Sequence, residues 1–72
     1  MNRIKSSDVV KFSNRALELC IDLGSSKEAI QQMKLETFLV ISVFEKELEA
    51  DVLTSAGSIQ RFGVHDLQLV EI

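Results

Sequence analysis

Apolar residues recur at helical spacing from Val9 through Phe12, Ala16, Leu19, Cys20 and Leu23, and the row stops at Gly24. Steps of three and four place such side chains on one face of a helix. Ser6-Ser7-Asp8 ahead of the row supplies N-cap chemistry, and a glycine behind it suits the left-handed residue that ends many helices. The pattern predicts a first helix over residues 7–23. A second start follows at once. Ser25 with Glu28 three residues on has the form of a capping box, and a second row runs Ile30, Met33, Thr37, Ile41, Phe44, Leu48. One helix over residues 26–48 would be roughly 35 Å long. A compact domain of this size is only about 30 Å across. The segment therefore either breaks near residues 32–34 or protrudes and packs against another copy.

The centre of that segment, Phe38 to Phe44, is apolar almost without interruption, and its Val, Ile and Phe residues also suit a strand. It does not alternate, however, and its Glu, Lys, Leu and Ala flanks favour helix. Residues 54–58 read as a turn or loop. The tail from Val64 has apolar residues at 64, 67, 69, 70 and 72, compatible with a last short helix or an edge strand. The expected architecture is a single domain, residues 1–72, built as an all-α bundle of three or four helices. The alternative is an α+β domain with a small sheet from residues 36–44 and 64–72.

Composition narrows the chemistry. With one Cys and one His in 72 residues, neither a disulfide framework nor a His/Cys metal cluster is expected. A core must come from apolar side chains alone, and the 46% hydrophobic content permits one. The opening residues hold no apolar stretch of the signal-peptide kind, and no run approaches the ~20 residues of a membrane span, so a cytoplasmic protein is expected. Residues 1–34 carry six Lys/Arg against four Asp/Glu, and residues 35–72 carry two against seven. The acidic second half disfavours nucleic acid, whose phosphates need Lys and Arg, and suits a basic protein partner. No enzyme site is visible. Cys20 falls among apolar positions, where a free Cys behaves as a small hydrophobe. His65 and Asp66 are adjacent rather than facing one another. Gly-rich phosphate loops are absent.

"MKLETFLVISVFEKELEADV" (residues 33–52) is similar to the central helix of acyl carrier proteins, which runs through apolar positions to an acidic Glu-x-Glu end. "RFGVHDLQLVEI" (residues 61–72) resembles the closing segment of that family. The resemblance implies a helical bundle that docks basic enzymes through an acidic surface, here Lys34, Glu36, Glu45, Glu47 and Glu49. Carriers attach 4′-phosphopantetheine to the Ser of an Asp-Ser-Leu motif. In the gapless alignment Met33 and Lys34 stand at the Asp and Ser positions, so that site is degenerate. "DLGSSKEAIQQM" (residues 22–33) offers a shifted register with Ser26 as attachment point, although a capping role explains the same serines. The expectation is a non-catalytic, acyl-carrier-like helical binding module without a prosthetic group, docking a basic partner. The alternative is a small helical regulator or adaptor, monomeric or homodimeric.

Overall fold

The apolar run that was expected to be helical is a strand. A computed structural model describes residues 4–70, and in it Thr37–Phe44 forms the longest strand, β2. The elements in chain order are β1 (Val9–Phe12), α1 (Asn14–Asp22), α2 (Lys27–Leu35), β2, β3 (Glu49–Leu53), β4 (Ile59–Gly63), a 3₁₀ turn (Val64–Asp66) and β5 (Leu67–Leu69). The fold is α+β: five antiparallel strands in the order β4-β3-β2-β1-β5, with two helices between β1 and β2. The expected all-α bundle is thereby overturned, and with it the helical form of the regulator. The alternative sheet caught two of the five strands, but β2 and β5 do not pair with each other; both flank β1. The expected apolar end at Ile72 lies outside the described residues.

A bulge explains why β2 hides its alternation. Val40 pairs with Val52, whereas Ser42 pairs with Asp51, so β2 advances two residues while β3 advances one. The extra residue, Ile41, changes the side on which later side chains fall. Phe38 and Val40 point inward before it and Val43 after it, packing with Val10, Ala50, Val52 and Leu67. Ile41 is consequently exposed and Phe44 only half-buried. The row that placed both in a helical core does not exist.

The start of the first helix is also corrected. Val9-Val10-Lys11-Phe12 is strand, with Val10 and Phe12 turned inward, and β-branched valines suit it. Ser6-Ser7-Asp8 forms a turn instead of a cap; Ser7 takes a φ of 76° and the Asp8 carboxylate accepts the Lys5 N–H at 3.0 Å. The true N-cap is Ser13. Its Oγ accepts the Ala16 N–H at 3.2 Å and donates to the His65 carbonyl at 3.1 Å, while its N–H donates to the Asp66 carbonyl at 2.8 Å. One buried serine thus ties α1 to the 3₁₀ turn. The end of α1 is a Schellman closure: Gly24, with φ of 90°, donates to Ile21 O, and Ser25 donates to Cys20 O, each at 3.0 Å. Ser26, not Ser25, caps α2. That helix stops at Leu35, because Glu36 is already extended at φ −76° and ψ 136°. The break lies two residues beyond the expected one, and the molecule measures 31 × 24 × 24 Å.

The sheet curls strongly. In a flat sheet β1 and β4 would lie about 14 Å apart, three strand spacings. Yet the rings of Phe12 on β1 and Phe62 on β4 have centroids 5.5 Å apart, and Phe38 on β2 lies 5.1 Å from Phe12 and 5.5 Å from Phe62. Edge-to-face contacts at such distances add about 0.5–1.5 kcal/mol per pair beyond area burial. Truncating Phe38 removes one such contact, to Phe12, and a tilted one, to Phe62, and opens a cavity. Phe38→Ala should cost roughly 3–5 kcal/mol, as buried Phe truncations do, whereas Phe44→Ala on the outer face should cost distinctly less. Urea unfolding of the two variants checks this, and equal losses would contradict the assignment of faces.

Candidate binding face

Among the described residues, curling leaves one side of the sheet without cover. The register sets Val9 opposite Leu39, Leu39 opposite Leu53, and Leu53 opposite Ile59. These four outward residues make an apolar row across β1, β2, β3 and β4. Val9 is 47% exposed, Leu39 43% and Ile59 64%. One step along the strands the row gives way to Ser42, Asp51 and Arg61, and a further step reaches Phe44 and Glu49. Arg61 Nε donates to Asp51 Oδ1 at 2.8 Å, and the guanidinium lies over the Phe44 ring at 4.5 Å from its centroid. That hydrogen bond, with the attraction of the charge itself, lowers the Asp51 pKa from its ordinary 3.8. The same bond raises that of Arg61, helped by Glu49 and Glu47.

The four-residue connection from Glu45 to Leu48 carries two of the four acidic residues singled out by the sequence, and Glu49 follows it at the start of β3. Glu45 and Glu47 are exposed and Glu49 is partly so, whereas Lys34 and Glu36 lie at the opposite end of β2. An eight-residue strand spans about 26 Å. The five expected partner residues therefore do not form one patch: Glu45, Glu47 and Glu49 belong together, and Lys34 and Glu36 stand apart. Leu48, in the middle of the acidic group, is 52% exposed and has a φ of 55°. The left-handed conformation costs a residue with a Cβ roughly 1–2 kcal/mol. An exposed leucine held there invites the question of what its side chain is for.

Ser26, the candidate attachment point, is exposed at the start of α2, and its Oγ accepts the Ala29 N–H at 3.1 Å. Cys20 is half-buried with a free thiol. Among the described residues no group of three or more His, Cys, Asp or Glu is placed to hold a metal ion, and no helix is long and apolar enough to cross a membrane. A shallow pocket of about 260 Å³ opens between Glu36, the β3–β4 turn and the edges of the three phenylalanines. Those rings pack against one another and leave no slot between them.

The chain matches no family model, and no curated protein or solved structure is significantly similar to it. The described parts of the segments that resemble acyl carriers, residues 33–52 and 61–70, mostly form strands here, so the fold which that resemblance implied is not the one present. The apolar row went unread in the sequence for a definite reason. Its members are 14, 6 and up to 30 residues apart along the chain, and only the strand register brings them side by side.

Asp51 accepts a charge-assisted bond from Arg61 only when ionised. Because its folded-state pKa is depressed, the pair's contribution is fully present above the ordinary carboxylate value and is lost as pH falls through the lowered one. A carbon-detected NMR titration should place the Asp51 carboxyl below 3.8, its ordinary value. Arg61→Ala should return it to the ordinary range. An unchanged midpoint in that variant would refute the cause assigned here.

Proposed function

We propose that this chain is a non-catalytic interaction module. It docks, on the outer face of its sheet, a protein segment that offers apolar residues flanked by basic ones. The outward row of exposed Val9, Leu39 and Ile59 with half-buried Leu53 carries this reading, since apolar residues contiguous across four strands are uncommon on a surface with no partner. The Glu45, Glu47 and Glu49 cluster, two steps further along the same strands, supplies the charge preference, acting mainly on the rate of association. Lys34 and Glu36 lie at the other end of β2 from that cluster and are not part of it. The strained Leu48 fits as an apolar tip among those acids. The reading places the chain in the cytoplasm, where a lone thiol such as Cys20 stays reduced.

No prosthetic group enters this reading. The Ser26 hydroxyl oxygen already serves α2 as an N-cap acceptor, a role that accounts for the residue. Intact mass after incubation with a phosphopantetheinyl transferase and coenzyme A should stay unchanged. A gain equal to the phosphopantetheine arm, abolished by Ser26→Ala, would make the chain a carrier after all.

Two synthetic peptides, one alternating Leu with Lys and one alternating Leu with Glu, test the docking face. In ¹H–¹⁵N spectra the basic peptide should shift the amides of Val9, Leu39, Leu53, Ile59 and residues 45–49, and the acidic one should not. Shifts from neither peptide, or equal shifts from both, would refute the reading. Leu48→Gly should raise stability by about 1 kcal/mol, because glycine takes a positive φ without cost, and should weaken binding of the basic peptide. A loss of stability would show that Leu48 serves the fold.

A further inference from the structure

The five-stranded sheet has two edges, and they differ. The β5 edge is only three residues long, and shortness itself blunts an edge. The β4 edge is five residues of regular strand, Ile59-Gln60-Arg61-Phe62-Gly63, without proline or bulge. Backbone bonds at both ends of the β3–β4 ladder fix its phase. Thr54 N–H donates to Ser58 O at one end and Val64 N–H to Leu48 O at the other, each at 2.8 Å. Hydrogen-bonded and non-hydrogen-bonded pairs alternate in an antiparallel ladder. Gln60 and Phe62 therefore bond to β3, and the N–H and C=O groups of Ile59, Arg61 and Gly63 point outward to the bare edge.

Edges are commonly guarded by charge. The only charged residue on this strand is Arg61, and its guanidinium is turned back across its own sheet onto Asp51 and Phe44. It is neutralised there and does not stand in front of the edge. Residues 52–64 hold no other charge, in a chain of net charge −3. Two copies can therefore meet along this segment without acidic repulsion.

We infer that β4 pairs with β4 of a second copy, antiparallel about a two-fold axis at Arg61, joining two sheets into one. That register sets each Ile59 against Gly63 of the other copy. It matches every outward N–H of Ile59, Arg61 and Gly63 with an outward C=O. It also lays the Ile59 side chain, 64% exposed in the single chain, over a residue that has none. Both outer faces stay on the same side of the joined sheet, because paired residues in an antiparallel ladder share a face. The contact is isologous and closes on itself as a dimer. It rests on the backbone of the edge; Ile59 belongs also to the outer apolar row, and Leu39→Lys, which alters the row alone, separates the two readings.

Sedimentation velocity of the full chain over a concentration series tests the inference. Wild type should pass from monomer to dimer and no further. Ile59→Pro removes an outward N–H that makes no bond to β3, so it should leave far-UV circular dichroism unchanged and abolish the dimer. Leu39→Lys, central on the outer face, should leave the dimer intact. Amide exchange on wild type keeps the test independent of the variants' folding: protection at Ile59, Arg61 and Gly63 should rise with concentration. A chain monomeric throughout, open-ended oligomers, a dimer lost in Leu39→Lys, a dimer surviving in Ile59→Pro, or concentration-independent exchange at those three amides would each overturn the inference.

Discussion

Three phenylalanine rings meet across strands that a flat sheet would hold far apart, and the rest of the molecule follows from that meeting. To bring Phe62 on β4 within 5.5 Å of Phe12 on β1, the sheet must roll up around its inner face. The bulge at Ile41 serves the same end, since bulged strands bend and twist more strongly than regular ones. It also resets the facing of β2, so that Phe38, Val40 and Val43 all reach the core. Without the extra residue, an eight-residue strand reading Thr-Phe-Leu-Val-Ile-Ser-Val-Phe would turn either Phe38 or Val43 outward.

Rolling the sheet has a consequence for the other side. The two helices lie between β1 and β2 in the chain, α1 fixed through Ser13 to the 3₁₀ turn, and among the described residues the outer face of the strands is left open. Among the described residues, nine hydrophobic residues are buried and nine large ones are exposed. A small domain has little stability in reserve, and exposed Leu39, Ile41 and Ile59 add nothing to it in the single chain. Leu48 is held in a left-handed conformation that glycine would take more readily. These features share the β2–β3–β4 meander, with the apolar row toward one end of β2 and β3, the acidic turn at the other and the bare edge along β4.

Much of the local punctuation was legible in the sequence. Gly24 ends α1, and the serines before Lys27 begin α2, one residue later than the capping box suggested. What failed was the choice between strand and helix in two places, for two different reasons. In residues 9–12 the valines and Phe12 fell into phase with the helix that follows, and Ser13, the actual cap, stood in the middle of the reading. In residues 37–44 the bulge destroyed the alternation that marks a half-buried strand. The sheet's closure depends on contacts between residues 12, 38 and 62, far apart in sequence and invisible to any local pattern. The cluster of Glu45, Glu47 and Glu49 was visible as composition; its separation from Lys34 and Glu36 needed the length of β2.

The curl around the three rings is most directly tested by nuclear Overhauser effects between assigned aromatic side chains. Cross-peaks from Phe12 ring protons to those of both Phe38 and Phe62 should appear, together with cross-strand Hα contacts between β2 and β3. Sequential amide–amide contacts running through residues 37–44, with no cross-peak between Phe12 and Phe62, would contradict the account and restore a helix to the centre of the chain.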